Sequence, residues 1–208
     1  MAETASPVPP RMTADEFIEW SGQQPEGMHY ELIGGVIVQM AAERINHMRV
    51  KFAMALSLQN AIGAADASCE VLLDRVGVRV DNSTFYEPDL SVRCGTAAPG
   101  DSAEIDDPIV IVEVLSPSTQ SRDFEQKFQD YFRLPSLRHY LIVNPETGRV
   151  VHHRRDEKSG KIETAIVAEG ALMLDPPGIQ VAVADFFASL PPEDDMAADD
   201  EARQESET

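Results

Sequence analysis

The chain has 208 residues, of which 43% are hydrophobic and 25% are charged. This length and composition are typical of one soluble domain with a single substantial core. The apolar runs fall far short of the roughly 18 residues that a membrane span needs, and the N-terminus lacks the basic-then-apolar pattern of a signal peptide. The sequence therefore predicts a cytoplasmic protein with no membrane segment.

The formal net charge is −19, from 17 basic and 36 acidic residues. A protein that grips nucleic acid without help needs a broad basic face, and this balance has the wrong sign for one. Part of the excess lies in residues 193–208, where eight acidic residues accompany Arg203 alone. The rest of the chain is still acidic, so tight, unaided and non-specific binding to DNA is disfavoured.

The two ends of the chain differ in composition from the middle. Residues 1–12 are rich in Pro, Ala and Ser and predict a flexible N-terminus. Residues 191–208 predict an acidic disordered tail, which leaves one domain over 13–190. Within it, Cys69 and Cys94 lack metal-type spacing. We expect two buried reduced thiols, with a disulfide and a zinc site as the alternatives.

The first half of the domain is predicted to mix helices with antiparallel strands. Thr13 followed by Glu16 is a capping-box pattern that starts a short helix. Gly34-Gly35 between two strand-like runs is typical of a hairpin. The predicted ranges are strands over 30–33 and 36–40, a long helix over 43–62, strands over 69–73, 76–80, 89–93 and 109–115, and a surface loop over 95–107.

Apolar residues at helical spacing identify the long helix, which we interpret as a packing helix. The residues at that spacing are Ile45, Met48, Phe52, Leu56 and Met54 or Leu58.

The second half of the domain predicts a parallel crossover. A helix over 119–134, with aromatic residues on one face, lies between the strands 109–115 and 140–143. A strand, helix, strand order of this kind favours parallel pairing in an otherwise antiparallel sheet. A turn over 145–148, a hairpin of 149–155 with 161–167 and a short helix over 185–190 follow. The predicted fold is α/β, a mixed sheet flanked by helices.

Glu113 is the anomaly of this pattern, because it interrupts the apolar strand 109–115. An ionised carboxylate buried there costs several kcal/mol unless a metal ion, hydrogen bonds or a countercharge compensates it. Asp89 and Lys127 are the candidates to share its site. Divalent cations prefer carboxylate oxygens, and a nearby lysine can orient water or stabilise developing charge. The three groups together indicate metal-assisted phosphodiester hydrolysis.

Each of these residues also has an ordinary structural alternative. A Pro-Asp pair such as Pro88-Asp89 is common at loop-to-strand junctions, where it forms a turn. Lys127 lies near the apolar face of its helix, where its stem can pack while its ammonium group reaches water. Glu113 can occupy an edge or bulge position, or it can pair with Arg93 or Arg122. The residues alone leave these alternatives open.

Short motifs follow one another in a characteristic order. They are Tyr30-Glu31-Leu32-Ile33-Gly34-Gly35, Pro88-Asp89-Leu90-Ser91-Val92, Val112-Glu113-Val114-Leu115-Ser116-Pro117-Ser118-Thr119, Arg122-Asp123 to Lys127, Tyr131, and Tyr140-Leu141-Ile142-Val143-Asn144-Pro145. Over about 13–190 this order resembles the Uma-two family of restriction endonucleases, within the PD-(D/E)XK nuclease superfamily. The resemblance implies a restriction-endonuclease-like α/β core that binds Mg²⁺ or Mn²⁺ through carboxylates.

The resemblance also implies which residues form the site. Asp89 matches the aspartate of the PD motif, and Glu113 matches the acidic residue of the second half-motif. The superfamily usually has its lysine two residues after that acid, where this chain has Leu115. Lys127 on the following helix matches the relocated lysine. Glu31 matches an early glutamate of the family and is the expected second carboxylate on the metal, with an exposed hairpin acid as the alternative.

Two further features bear on substrate binding. His47 falls where the family tends to keep a histidine, and it could contact phosphate or metal-bound water; a capping or core histidine is the alternative. The densest basic cluster favours a solvated hairpin over a DNA-binding surface, since its side chains alternate between faces. That cluster comprises His152, His153, Arg154 and Arg155, with Arg133 and Arg138 earlier in the chain.

The leading hypothesis is a magnesium- or manganese-dependent endonuclease that acts on DNA. Asp89, Glu113 and Glu31 would bind the metal, and Lys127 would position the attacking water or offset charge. A homodimer would suit cleavage of two strands. The rival hypothesis is a non-catalytic binding or regulatory protein on a nuclease fold, which the acidic body and Leu115 favour. A hydrolase of a small phosphorylated substrate is a third reading, and DNA is not distinguished from RNA.

Overall fold

The computed structural model describes residues 11–25, 27–115 and 121–191, with the side chains of 121–123 left out. The tail predicted over 191–208 and the flexible segment predicted over 1–12 lie almost entirely outside this range. Within it, no helix is both long and apolar enough to cross a membrane.

The described residues contain four helices and thirteen strands, joined by turns and loops. The helices are α1 (Ala14–Ser21), α2 (Ile45–Ala64), α3 (Ser121–Tyr131) and α4 (Val183–Phe187). The strands are β1 (Tyr30–Ile33), β2 (Val36–Gln39), β3 (Cys69–Leu73), β4 (Gly77–Asp81), β5 (Thr84–Tyr86), β6 (Leu90–Cys94), β7 (Glu104–Ile105), β8 (Val110–Val114), β9 (His139–Asn144), β10 (Arg149–Arg155), β11 (Ile162–Val167), β12 (Ala171–Leu174) and β13 (Ile179–Ala182).

The central sheet has six strands in the order β11-β10-β9-β8-β6-β3. Strands β8 and β9 pair in parallel, with Val110 opposite His139, and the other neighbours in this sheet pair antiparallel. Helix α3 lies between β8 and β9 in the chain, so the predicted parallel crossover is confirmed. The α/β class with mixed sheets flanked by helices is confirmed as well.

A second sheet of five strands has the order β2-β1-β5-β4-β7, and β12 pairs with β13 separately. The predicted β1–β2 hairpin is present, and both turn glycines have positive φ, +56° at Gly34 and +84° at Gly35. Two positive φ angles are what a tight two-residue hairpin turn requires. The sequence did not reveal β5, β7, β12 or β13, because these strands have only two to four residues and no Gly-Gly turn marks them as Gly34-Gly35 marks β1 and β2.

The six-stranded sheet is covered on both faces. Helices α2 and α4 and the β12–β13 hairpin pack on one face, against Val110, Val112 and Val114. Helix α3 and the five-stranded sheet pack on the other, where Ile111 is buried. Side chains alternate along a strand, so Glu113 shares the second face with Ile111. Every residue of β8 is buried, which explains why the strand is apolar on both faces apart from Glu113.

The packing face of α2 differs from the prediction. Val50, Met54, Leu58 and Ile62 enter the core, whereas Ile45, Met48, Phe52 and Leu56 are exposed. The expectation was right for Met54 and Leu58 and wrong for the other four residues. The helix is apolar on two sides, so spacing alone does not tell which side is buried.

The expectation of two reduced cysteines is also wrong. Cys69 on β3 lies directly opposite Cys94 on β6, and their sulfur atoms form a disulfide bond. The two residues are 25 positions apart in the chain, and only the register of the sheet brings them together.

A buried histidine pair joins β9 to β10. His139 Nε2–H donates to the Pro176 carbonyl at 3.0 Å, so its Nδ1 is left to accept from His152 Nε2–H at 2.9 Å. This arrangement needs a neutral His139 ring, because Nδ1 must keep a lone pair to accept from His152. Burial lowers the pKa of His139 and of His152 to about 4, with positive neighbours adding to the effect.

This pair predicts a pH dependence of stability. Both pKa values fall below their ordinary value of 6.5 on folding, so the unfolded chain binds more protons. The free energy of unfolding should therefore fall by a few kcal/mol as pH drops from about 6.5 towards 4. Urea unfolding at stepped pH measures this. The variant His139→Gln/His152→Gln should show a flatter slope over that window, and an unchanged slope would contradict the assignment.

Candidate functional site

All five residues singled out for the site line one cavity of about 780 Å³. The cavity opens between the two large sheets, near the carboxyl end of β8. Glu31 comes from β1, Glu113 from β8, Lys127 from α3 and His47 from α2. Asp89 immediately precedes β6. All five side chains are buried, at 5–8% exposure.

Lys127 holds the two glutamates together. Its Nζ lies 2.8 Å from Glu31 Oε1 and 2.9 Å from Glu113 Oε1. Glu113 Oε1 also accepts a hydrogen bond of 2.9 Å from the Tyr131 hydroxyl, one turn further along α3. Glu31 Oε1 accepts from the backbone N–H of Glu87 at 3.2 Å. Lys127 on α3 thus contacts Glu113 on β8, although Leu115 occupies the position two residues after Glu113 where the superfamily usually has its lysine.

The protonation of this group reflects its burial. Burial raises the pKa of Glu113, Lys127 opposes that rise, and the negative charges of Asp89 and Glu31 add to it. For Lys127, burial favours the neutral amine, but the two glutamates outweigh burial and hold its pKa above the usual value. Two glutamates thus share one ammonium group, and the raised pKa of Glu113 reflects its burial and the negative charge of its neighbours.

Asp89 anchors a second group on the other side of the cavity. Its Oδ2 accepts a 2.7 Å hydrogen bond from the Val114 backbone N–H, which fixes the carboxylate to the end of β8. The same oxygen lies 3.3 Å from His47 Nε2, and His47 Nδ1 lies 3.5 Å from Glu43 Oε2. Burial disfavours the imidazolium, but Asp89 and Glu43 offset this and raise the pKa of His47 to about 9.

Lys51 forms ion pairs with the carboxylates of this second group. Its Nζ lies 2.6 Å from Glu43 Oε1 and 2.6 Å from Asp74 Oδ1, with Asp89 Oδ1 at 3.8 Å. Glu43 lies just before α2, and His47 and Lys51 follow it at four-residue intervals, so the three side chains share one side of the helix start. That spacing is a weak signal in the sequence, because it shows a shared helix face and not the neighbours Asp74 and Asp89.

One group of three side chains has its ligand atoms close enough together to hold a metal ion once His47 has lost its extra proton. Ligand atoms of Glu43, His47 and Asp89 all lie within 4.8 Å of one another. Among the described residues, no other three histidine, cysteine or acidic side chains converge in this way, and Glu31 and Glu113 face Lys127 instead. Asp89 is the carboxylate common to this group and to the predicted one.

The charge of the cavity fits a divalent cation. Six carboxylates line it, and the lysine and arginine side chains that line it are Lys127 and Arg75. Even with His47 protonated and Lys51 nearby, carboxylates outnumber cations. The lining carboxylates are those of Glu31, Glu43, Asp74, Glu87, Asp89 and Glu113. Hard cations such as Mg²⁺ and Mn²⁺ prefer such oxygen ligands.

Several structural alternatives can be compared with the observed contacts. Arg93 pairs with Asp107 at 2.8 Å and Glu70 at 3.0 Å, away from Glu113. The side chain of Arg122 lies outside the described residues. The alternatives placed the ammonium group of Lys127 in water and made Glu31 an exposed hairpin acid. Both side chains are instead buried.

The basic residues around His152–Arg155 contact different parts of the protein and do not gather on one surface. His152 is buried against His139, and Arg154 pairs with Glu163 at 2.5 Å. Arg155 donates to backbone carbonyls of Phe132 and Leu134. These side chains stabilise the fold and form no continuous basic patch on the described surface.

Comparisons with known proteins agree with this fold. Two proteins of Synechocystis sp., slr1290 and sll1609, both described as uncharacterized, are 29% and 30% identical to this chain. Those matches cover 71% and 77% of this chain, and 77% and 90% of the relatives. A crystal structure from Anabaena variabilis, titled a putative nuclease belonging to DUF820, matches with a TM-score of 0.70 at 16% identity. That match covers 86% of this chain and 99% of the other.

A family model covers nearly the whole described domain. It matches residues 14–185 and is described as Uma2, "Putative restriction endonuclease". The match runs from the start of α1 into α4 and includes every residue of the cavity named above. The chain therefore belongs to the Uma2 family.

Proposed function

We propose that this protein is a metal-dependent endonuclease that hydrolyses phosphodiester bonds of DNA, with Mg²⁺ or Mn²⁺ as its cofactor. The observation that carries the proposal is the excess of carboxylates over cations around Asp89. Without a cation, that cavity would repel a phosphate backbone. With one, it would attract the backbone, so metal dependence and nucleic-acid binding depend on the same charge balance.

Asp89 is the central ligand in this proposal, with Glu113 and Glu31 completing the set. Asp89 is held rigidly by the Val114 N–H and Glu113 by the Tyr131 hydroxyl, so both carboxylates are oriented before an ion arrives. When bound, a divalent ion polarises the phosphoryl group and readies a water molecule for attack.

The remaining side chains act on the substrate. Lys127 carries a positive charge in a buried site, where it can stabilise negative charge that develops on phosphate oxygens. The imidazolium of His47 can donate to a phosphate oxygen or, as a neutral ring, join Glu43 and Asp89 as a ligand. Tyr131 keeps its proton, because burial and Glu113 raise its pKa well above the usual value.

A non-catalytic binding or regulatory role on the same fold is the second candidate. The observation that favours it is the resident ammonium group of Lys127, which already joins Glu31 to Glu113. In that case the lysine would serve stability alone. Cleavage and metal-binding assays separate the two candidates.

Asp89→Asn should abolish cleavage of supercoiled plasmid in Mg²⁺ or Mn²⁺. The amide keeps the shape of the side chain but removes a ligand charge, and we expect a loss of at least about 100-fold. Glu163→Gln, an exposed acid on β11, is the matched control and should cleave as wild type does. Parallel reactions with linear DNA and RNA identify the polymer. Equal cleavage by Asp89→Asn and wild type would refute the site.

Calorimetric titration with Mn²⁺ locates the ion within the cavity. Asp89→Asn should lose binding, and Glu113→Gln and Glu31→Gln should each weaken it about 10-fold or more. Glu163→Gln again serves as the control. If Glu43→Gln and His47→Gln abolish binding while Glu113→Gln leaves it intact, the ion belongs to the Glu43–His47–Asp89 group. If wild type binds no metal and cleaves no polymer, the non-catalytic role stands.

Lys127→Met should destabilise the protein by about 3–5 kcal/mol in chelator, since it leaves two buried carboxylates without their countercharge. Urea unfolding at neutral pH measures the loss. Arg154→Met removes one partner of an exposed ion pair and should cost less than about 1 kcal/mol. Equal costs for the two variants would mean that the buried lysine is not needed to balance the site.

A further inference from the structure

The outer face of α2 is an exposed apolar stripe. Ile45, Met48, Phe52 and Leu56 follow one another at helical spacing and are 70%, 57%, 60% and 49% exposed. Single exposed apolar residues are common on soluble proteins, but a contiguous row along a helix marks an interaction surface. We call these four residues the α2 stripe.

The α2 stripe is also free of acidic residues. The chain has 36 acidic residues, yet Ile45–Ala64 contains none. The polar side chains that are exposed on this helix are one cation and two amides, those of Arg49, Gln59 and Asn60. In a chain of net charge −19, this face is set apart in both hydrophobicity and charge.

These two properties indicate a second copy of the chain as the occupant. Two molecules that each carry −19 repel one another, so a contact between copies is favoured only where the facing surfaces lack carboxylates. The α2 stripe runs from Ile45 to Leu56, about 17 Å along the helix, which is enough to form the centre of a two-fold interface. Antiparallel packing would also oppose the two helix dipoles favourably.

The chain's own acidic end is a poor occupant. Residues 193–208 carry eight acidic residues and Arg203, and burying that charge on an apolar stripe would cost free energy. We propose that the protein is a symmetric homodimer in which the α2 stripes of two copies pack antiparallel against each other.

The interface would place the two cavities close together. Met48 belongs to the α2 stripe and also lines the cavity, and the neighbouring His47 points into it. Two sites at one dimer interface suit cleavage of both strands of a duplex. This consequence rests on the proposed nuclease function, whereas the association itself does not.

Sedimentation equilibrium of the full chain tests the interface. Wild type should have twice the chain mass of 22.9 kDa, and Phe52→Glu should sediment at 22.9 kDa. Ile166→Glu is the matched control, because Ile166 on β11 is also 70% exposed but lies off the α2 stripe. This variant should remain a dimer. Since Phe52 is exposed in the single chain, circular dichroism of Phe52→Glu should match wild type.

A second variant guards against local effects at one position. Leu56→Glu should also give a folded monomer. A monomeric wild type overturns the proposal, and so does a dimer that survives both Phe52→Glu and Leu56→Glu. The nuclease function fails separately: a monomer that cleaves DNA refutes the interface alone, and a dimer that binds no metal refutes the function alone.

Discussion

The contact of Lys127 with Glu31 and Glu113 is the constraint on which the site depends. Glu31 belongs to the five-stranded sheet, Glu113 to the six-stranded sheet and Lys127 to α3, so one ammonium group joins three layers of the fold. Tyr86 and Asp130 reinforce the same junction, since the Tyr86 hydroxyl donates to Asp130 Oδ2 at 2.7 Å. Burying these charges is costly, and their geometry is therefore tightly specified.

The cavity beside this junction has more carboxyl groups than cationic side chains in its lining. Glu113 and Glu87 both have raised pKa values, chiefly because of burial. A cavity that held only structural ion pairs would have equal numbers of carboxylates and cations, whereas carboxylates outnumber cations in this lining. A divalent cation at Asp89 would restore the balance and convert a surface that repels phosphate into one that attracts it. Charge thus connects the stability of the fold to the function that we propose.

The sequence predicted the elements whose pattern is local, and missed what depends on long-range pairing. Glu113 was found because a carboxylate in an apolar strand is anomalous on its own. Glu43 and Lys51 were missed, because their four-residue spacing with His47 indicates only a shared helix face, and the contacts that place them at the site come from Asp89 and Asp74, which are distant in the chain. The disulfide required the register of β3 with β6. The exposed side of α2 was misassigned because both of its sides are apolar, and only the sheet beneath decides which one is buried.

The central claim is that a divalent ion binds at Asp89, and its most direct test is a crystal structure of the protein with Mn²⁺. Anomalous scattering identifies the ion without reference to activity. The account predicts a peak about 2 Å from a carboxylate oxygen of Asp89, with Glu113 or the Glu43–His47 pair supplying further ligands. A map with no peak in the cavity, and with Lys127 still joining Glu31 to Glu113, would contradict it.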